Sequence, residues 1–369
     1  MIYLDYQATT PVAPEVAQAM RPWIEEKFAN PHSPSRGGRE AAAAIEVARD
    51  QVAAHFPAGT LAFTSGATEA LNWALKGVFE SGKRRKLVTV ATEHAAVLDS
   101  TEWLEGQGAQ VVRLPVDGDG LIDLDQAANA IDDDTALVAV MLVNNEIGVI
   151  QPVAEVARLA HAKGAVMLCD AVQGFGRMAM PDGPDFFAIS GHKLHGPKGI
   201  GALWIREGVT PPAPLLHGGG QEQGLRSGTL SPALCVGFGA AAGLAAERQK
   251  GDLLHLFRLW DLAMDVLGPG WSVNGSLKQR YKGNLNIRRD GLDGARLIGE
   301  LRDIAFSLGS ACASGSGRPS HVLRALGLSD REARSSVRIG FGRYTSEDEL
   351  VDACRRIDAA ARAQESFAA

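Results

Sequence analysis

Cysteine is scarce in this chain, and its few cysteines are not spaced like the ligands of a metal ion. The 369 residues include four, Cys169, Cys235, Cys312 and Cys354, and none of them forms a Cys-x-x-Cys pair. This spacing excludes zinc-ribbon and thioredoxin-like motifs. Because low cysteine use without a disulfide framework is typical of a reducing compartment, we expect a cytoplasmic protein.

Long apolar runs and an excess of positive charge are missing as well. No stretch approaches the roughly 20 apolar residues that a membrane helix needs, and residues 1–5 do not have the pattern of a signal peptide. The formal net charge of −6 argues against binding nucleic acid through bulk charge. The short basic run 83–86 is interpreted as a solvated turn. The composition therefore predicts neither a membrane nor a nucleic-acid partner.

What the sequence does contain is a regular alternation of apolar strand-like runs and helical segments. The pattern predicts helices over 36–55, 67–80, 94–106, 153–163 and 232–267. It predicts strands over 61–63, 87–90, 111–114, 136–143, 166–168, 185–190 and 201–205. Continuous apolar strands separated by helices predict an α/β fold with a mainly parallel sheet covered on both faces. We expect a large domain over 13–250 and a smaller α+β domain formed by 1–12 and 251–369.

A lysine follows one of the predicted buried strands, in the tetrapeptide 190–193. Partial desolvation at a strand end lowers the pKa of Lys193, so its amine can attack carbonyl compounds such as pyridoxal phosphate. A surface lysine in a turn is the simpler alternative. His192 and His195 have no HExxH pattern or carboxylate neighbour, so we predict no metal site.

Polar side chains follow two other predicted strands. Asp170 ends the strand that begins at Val166, and a carboxylate there points into the crevice where ligands bind. Such an Asp can keep a pyridine nitrogen protonated, although a helix N-cap is an equal alternative. The segment 144–146 follows the strand at 136–143, and an amide there can bind a cofactor hydroxyl or a substrate carboxylate.

Three further features are suited to binding anions or planar rings. The segment 64–69 places small residues at a helix start, which suits a single phosphate, although a plain capping box explains it equally well. His94 begins the next helix, where it could stack on a cofactor and shuttle protons or be a buried structural residue. Arg338 lies in a strand-like run and is a candidate carboxylate clamp or a member of an ordinary ion pair.

Cys312 lies in a segment, 309–317, that otherwise contains only glycine, serine and alanine. Such a segment has almost nothing to bury, so we expect it to move and to carry the thiol with it. A thiolate on a mobile tether is a nucleophile that can reach its target. The alternative is a Gly/Ser turn with an incidental cysteine.

Together these motifs resemble those of the cysteine desulfurases, pyridoxal-phosphate enzymes of fold type I in the class V aminotransferase group. The similarity extends from residue 2 to about residue 350. The matching motifs lie at 3–11, 65–69, 92–94, 143–148, 170–173, 190–193, 218–222, 226–229, 309–312 and 336–338. The long Gly/Ser segment is similar to the group I (NifS/IscS-like) branch, and the Arg-x-Gly-His-His-Cys motif of group II is absent.

The resemblance implies a role for each cofactor-site residue. Lys193 holds pyridoxal phosphate covalently and moves the Cα proton, Asp170 pairs with the pyridine nitrogen, and His94 stacks on the ring. Gln173 contacts the ring hydroxyl. The phosphate is held by a set of small and polar residues: Ala67, Thr68, Ser190, His192 and, across a homodimer interface, the partner subunit's Thr229.

The resemblance also implies the reaction. Asn145 and Arg338 bind the carboxylate of L-cysteine, and Cys312 attacks its sulfur, giving L-alanine and a persulfide on Cys312. The persulfide passes to an acceptor or scaffold protein for iron–sulfur cluster, cofactor or tRNA synthesis. The chain departs from the family at 317–318, where Gly-Arg replaces Leu-Glu, and it ends soon after Arg338 without the long tail of housekeeping members. Both departures concern the sulfur acceptor and not the chemistry.

Two other functions are compatible with the same motifs. One is a related pyridoxal-phosphate aminotransferase or lyase in which Cys312 is a bystander. The other is a binding or scaffold protein that has kept the fold without catalysis. The fate of Cys312 and the presence of cofactor on Lys193 distinguish these possibilities.

Overall fold

A computed structural model describes residues 1–308 and 319–368. Its strands are β1 (Ile2–Tyr3), β2 (Gly59–Thr64), β3 (Lys86–Val90), β4 (Gln110–Leu114), β5 (Thr135–Met141), β6 (Val166–Asp170), β7 (Phe186–Ser190), β8 (Gly201–Arg206), β9 (Ser272–Val273), β10 (Asn284–Arg288), β11 (Ile304–Ala305) and β12 (Ser336–Gly340). Its helices are α1 (Pro14–Glu25), α2 (Arg36–Ala53), α3 (Ala67–Ser81), α4 (Ala95–Glu105), α5 (Leu124–Ala130), α6 (Val153–Ala162), α7 (Pro232–Leu267), α8 (Gly294–Glu300), α9 (His321–Ala325), α10 (Asp330–Arg334) and α11 (Glu347–Ala368).

The main sheet has the strand order β2-β8-β7-β6-β5-β3-β4. β8 runs antiparallel to both of its neighbours, and the other adjacent pairs are parallel. β3, β5 and β7 are buried along their whole length, because helices cover both faces of the sheet. The predicted α/β fold with a mainly parallel sheet is confirmed.

Neighbouring residues of the central strands pack on opposite faces of the sheet. Leu137 and Leu168 belong to a cluster with α3 and α4, whereas Val138 and Met167 belong to a cluster with α2, α6 and α7. Side chains alternate along a strand, so an unbroken apolar run supplies both clusters at once. This double packing holds the central strands, and the residues that follow them, in fixed positions.

A smaller set of elements packs beside the main sheet. β9, β10 and β12 form an antiparallel sheet, β1 pairs in parallel with β11, and α11 packs against α7. The predicted domain boundary near residue 250 lies inside the continuous helix α7. The division into domains over 13–250 and over 1–12 with 251–369 stays a prediction.

The basic run 83–86 is only in part the solvated turn that the sequence suggested, since Lys83 and Arg85 are exposed and the other two residues are not. Lys86 is buried at the start of β3 and pairs with Asp132 at 2.6 Å. Arg84 donates to the backbone carbonyls of Thr135 and Lys163. The charges in this run therefore tie β3 to its neighbours.

The fold places the ends of several strands at one edge of the sheet. β2, β3, β5, β6 and β7 point the same way, so the segments that follow them converge there. Among the described residues, no helix has the length and apolar character to cross a membrane.

Candidate active site

A cavity of about 570 Å³ lies at this edge of the sheet. It brings together most of the residues that the sequence singled out: Ala67, Thr68, His94, Asn145, Asp170, Gln173, Ser190, His192, Lys193 and Arg338. Thr229 is exposed and does not line the cavity within a single chain. Cys312 lies outside the described residues.

Lys193 closes a single 3-10 turn that follows β7. Its Nζ donates to the carbonyl oxygens of Gln7 at 2.5 Å and Ala8 at 2.8 Å. Burial, reinforced by the nearby charge of Arg177, lowers the pKa of Lys193 to about 8. Lys193 is therefore not an exposed turn lysine, and its amine can be neutral near physiological pH.

Asp170 ends β6 and faces the same cavity. Its Oδ1 accepts from the backbone N–H of Val172 at 3.0 Å, so it caps a turn and not a helix. Burial raises the pKa of Asp170, and His94 and Lys193 oppose that rise. Behind it, wholly buried Glu93 accepts from the N–H of Met141 at 2.6 Å. Burial and the charge of Asp170 raise the pKa of Glu93 well above its usual range, which favours its neutral form.

His94 both caps a helix and lines the cavity. Its Nδ1 accepts from the N–H of Ala96 at 3.1 Å at the start of α4. A neutral imidazole whose Nδ1 accepts carries its hydrogen on Nε2. The structural role and the cofactor role considered for His94 are thus compatible, because the cap fixes the ring that faces the cavity.

One end of the cavity is built to hold an anion. Ala67 and Thr68 form the first turn of α3, where backbone N–H groups have no partner within the helix. A Cβ placed on Gly66 would meet no atom within 4 Å, so the space in front of this turn is open. The Ser65 N–H donates to the carboxylate of Glu69 at 2.7 Å, but the N-cap residue Gly66 makes no side-chain capping bond, so the plain capping box considered from the sequence is not formed.

Ser190, the last residue of β7, and His192, in the turn that follows it, also line the cavity. His192 Nδ1 lies 3.1 Å from the hydroxyl of Thr9. Burial, together with the charge of Lys193, lowers the pKa of His192 to about 4, so the ring is neutral and can donate only one hydrogen. The N-terminal segment is fastened here as well, since both the N–H and the hydroxyl of Thr10 donate to the His192 carbonyl.

Arg338 supplies a buried guanidinium to the lining of the cavity. Its Nη2 pairs with Asp5 at 2.7 Å, and its Nη1 donates to the carbonyl of Asn145 at 3.0 Å. Its Nε has no hydrogen-bond partner among the described residues. The ordinary ion pair considered from the sequence is therefore present, and one buried donor remains beside it for a carboxylate.

Several residues that contact this site carry no sequence signal that predicts a role for them. Gln7 and Ala8 offer carbonyls to Lys193, Asp5 holds Arg338, and Arg177 contacts Gln173 and Lys193. The motif at 3–11 is recognisable in the sequence, but its contacts with Lys193 use backbone carbonyls, which every residue has. The residue types therefore do not predict these contacts. Nothing in the local pattern distinguished Arg177 from a surface arginine.

The whole chain matches a known protein family. The model of the aminotransferase class-V family matches residues 2–353. The chain belongs to the class-V aminotransferase family. The cysteine desulfurase IscS of Rickettsia bellii (strain OSU 85-389) is 46% identical over 364 residues, covering 95% of this chain and 88% of the relative.

Solved structures of class-V relatives have the same fold. A NifS-like protein superposes with a TM-score of 0.90 at 34% identity, covering 97% of this chain and 98% of the other. A structure described as SspA in complex with cysteine gives a TM-score of 0.82 at 35% identity, covering 94% and 100%. The resemblance to cysteine desulfurases and the need for pyridoxal phosphate are confirmed.

The cavity fits pyridoxal phosphate in its chemistry. The helix start at Ala67 suits a dianionic phosphate, Asp170 suits a protonated ring nitrogen, and the Lys193 amine suits an aldehyde. All three face one cavity whose volume lies within the usual range of cofactor sites.

The two flanks of the segment 309–318 are anchored at this cavity. Before it, the backbone of Ser307 pairs with Arg338 through bonds of 3.2 and 2.7 Å. After it, the hydroxyl of Ser320 donates to the carboxylate of Glu146, and His321 Nε2 lies 3.0 Å from the carbonyl oxygen of Glu93. The residues on both sides of the segment that contains Cys312 are therefore held next to the site.

Proposed function

We propose that this protein is a cysteine desulfurase that transfers the sulfur of L-cysteine to Cys312 and releases L-alanine. The observation that carries the proposal is the single cavity that gathers Lys193, Asp170, His94 and Arg338 from distant parts of the chain. An amine, an acid, a planar ring and a cation together suit an amino acid bound through pyridoxal phosphate.

The cofactor is held by residues of the sheet edge and of the partner subunit. Lys193 would carry it, Asp170 would pair with its ring nitrogen, His94 would stack on the ring and Gln173 would contact the ring hydroxyl. The phosphate is held by Ala67, Thr68, Ser190, His192 and the partner subunit's Thr229. When bound, pyridoxal phosphate supplies an electron sink that allows the bonds at Cα and Cβ of the substrate to break.

The residues of the chain itself bind the substrate and move its protons. Arg338 and Asn145 receive the carboxylate of L-cysteine, which fixes Cα near the Lys193 amine. With a pKa of about 8, that amine can take a proton from Cα and return one during the release of L-alanine. The cavity excludes most of the solvent from Lys193, which keeps the proton between amine and substrate.

Cys312 is the cysteine best suited to receive the sulfur. Cys169, Cys235 and Cys354 are free but buried. Burial raises the pKa of the Cys235 and Cys354 thiols to about 12 and that of Cys169 well above its usual range. Since the thiolate is the nucleophile, these three are poor sulfur acceptors. Attack by the Cys312 thiolate forms its S–S bond as the bond between the substrate sulfur and Cβ breaks. The electron pair of the broken bond stays with Cβ, which takes up a proton to become the methyl group of L-alanine.

We further propose a homodimer, a cytoplasmic location and a protein acceptor for the persulfide. The dimer is supported by the position of Thr229, which is exposed and does not line the cavity of its own chain. The location is supported by the unpaired state of the three described cysteines, which suits a reducing compartment. An iron–sulfur scaffold or another sulfur-accepting protein would take the sulfur from Cys312.

The decisive experiment is incubation of the purified protein with L-cysteine, followed by intact and peptide mass spectrometry. We expect a mass gain of one sulfur atom on the peptide that contains Cys312 and release of L-alanine. Cys312→Ala should abolish both, whereas the matched variant Cys235→Ala should retain both. A persulfide on Cys169, Cys235 or Cys354 in place of Cys312 would contradict the proposal. Undiminished alanine release by Cys312→Ala with dithiothreitol present would show instead that Cys312 is a bystander.

A further inference from the structure

Arg177 contacts two residues of the cofactor site without lining the cavity itself. It is the last residue of the turn that begins after Asp170, and it is half-buried. Its Nη1 donates to the side-chain Oε1 of Gln173 at 2.5 Å, and its Nη2 donates to the backbone carbonyl of Lys193 at 2.8 Å. One planar guanidinium therefore joins the residue that would hold the ring hydroxyl to the residue that would hold the cofactor.

The contact with Oε1 determines which way the Gln173 amide faces. A guanidinium only donates, so the amide oxygen must point toward Arg177. The amide nitrogen then points the other way, where Nε2 donates to the carbonyl of Gln7 at 3.0 Å. An amide nitrogen has two hydrogens, and the bond to Gln7 uses one of them. The second remains available on the cavity side of Gln173.

The charge of Arg177 is not neutralised by a carboxylate. In residues 1–308 and 319–368, Arg177 forms no ion pair, and its guanidinium lies 5.1 Å from the ring centroid of Tyr281. Its hydrogen bonds go to neutral oxygens of Gln173 and Lys193. Such a cation disfavours a second positive charge nearby.

We propose that Arg177 is a positioning residue of the cofactor site that orients the Gln173 amide and fixes the backbone of Lys193. The proposal rests on the proposed function, because it assigns Lys193 and Gln173 to pyridoxal phosphate. Arg177 acts through these two residues and does not touch the substrate. Burial is the largest cause of the lowered pKa of Lys193, and the charge of Arg177 is the second largest. This ranking supports the geometric argument.

Two variants separate the charge of Arg177 from its fork of donors. Arg177→Met keeps an unbranched apolar stem against Tyr281 but removes both the charge and the donors. Arg177→Lys restores the charge but not the planar fork. In the full-length protein stripped of cofactor, acetylation of Lys193 is followed against pH by peptide mass spectrometry. We expect Arg177→Met to raise the pH midpoint of Lys193 acetylation by about one pH unit. Arg177→Lys should leave that midpoint near the wild-type value.

A double-mutant cycle tests whether Arg177 acts through Gln173. Pyridoxal phosphate binding is measured by fluorescence at high pH, where the Lys193 amine is neutral in every variant. We expect Arg177→Met and Gln173→Ala each to weaken binding about tenfold. The double variant should lose less than the two losses combined, because the Gln173 contact is removed only once and only the Lys193 contact adds to it. Thermal unfolding of Arg177→Met reports any general loss of stability, which alone would shift neither the midpoint nor the coupling.

An unchanged midpoint in Arg177→Met, or losses that add in the double variant, would overturn this assignment. These outcomes differ from failure of the proposed function. In that case the wild-type protein itself would take up no cofactor, or would attach it at a residue other than Lys193.

Discussion

At the scale of single residues, Lys193 has an environment very different from that of a lysine in water. Its ammonium is removed from solvent, lies near the Arg177 charge and donates to the carbonyls of Gln7 and Ala8. Desolvation and the nearby cation favour the neutral amine, whereas the two carbonyls accept from the charged form. This balance allows one side chain to serve as nucleophile and as proton carrier.

The lowered pKa of Lys193 predicts the pH dependence of cofactor uptake. Below about pH 8 the amine is protonated and cannot attack an aldehyde, and above it the amine is neutral. We expect the rate of pyridoxal phosphate uptake by cofactor-free protein to rise about tenfold per pH unit up to pH 8 and then to level off. Stopped-flow absorbance measures this rate, and Lys193→Ala should show no covalent uptake. A midpoint near 10.5, the ordinary value for lysine, would contradict the prediction.

The sequence was sufficient to locate side chains that follow buried strands, because the carboxyl ends of such strands meet at one edge. Asp170, Asn145 and Lys193 were found in this way and do line one cavity. The contacts made by Gln7 and Ala8 could not be found, because they use backbone carbonyls at a separation of 186 and 185 residues from Lys193. Contacts made by the backbone do not depend on side-chain identity, so the residue types do not predict them.

At the scale of elements, the start of α3 depends on the close approach of β8. Gly201 pairs with Thr64 of β2 and with Ser190 of β7, the two strands that lead to the phosphate end of the cavity. A Cβ on Gly201 would lie 2.4 Å from the carbonyl oxygen of Ile189 and 2.7 Å from the carbonyl carbon of Gly66. Only a residue without a side chain allows this spacing.

We therefore predict that Gly201→Ala displaces the first turn of α3. The substitution should cost about 1–3 kcal/mol of unfolding free energy and weaken pyridoxal phosphate binding. Gly243→Ala is the matched control, because a Cβ at Gly243 in α7 would meet no atom within 4 Å. It should leave binding unchanged and stabilise the helix by about 0.5–1 kcal/mol. Denaturant unfolding and cofactor titration check both variants, and equal effects of the two would refute the argument.

The positions of most large elements followed from hydrophobic pattern, but their arrangement did not. The helices predicted over 36–55 and 67–80 occur as Arg36–Ala53 and Ala67–Ser81. The order β2-β8-β7-β6-β5-β3-β4 and the antiparallel direction of β8 depend on which faces pack together. An unbroken apolar run shows that a strand is buried and does not identify its neighbours.

At the scale of the whole molecule, the exposed position of Thr229 leads to a prediction about two chains. If the partner subunit's Thr229 holds the phosphate, Thr229→Val should weaken cofactor binding about tenfold. A mixed dimer of Lys193→Ala and Thr229→Val chains should contain one intact site, because the Lys193 and Thr229 of that site come from different chains. The two chains carry different tags, so that the mixed dimer can be purified through both. Cofactor titration of this dimer measures the number of full-affinity sites. A mixed dimer without a full-affinity site would place Thr229 in the same chain as its Lys193.

The pairing of β1 with β11 has a consequence for the order in which this protein is made. Ile2 and Tyr3 have no strand partner until Ile304 and Ala305 have left the ribosome. The ion pair of Asp5 forms later, because its partner Arg338 is made after them. Although the main sheet is complete by Arg206 and His192 already holds Thr10, the strand partner of β1 and the Arg338 that lines the cavity both come from the last third of the chain. A nascent chain can therefore build its sheet early, but it can capture cofactor in a finished site only after Arg338 has been made.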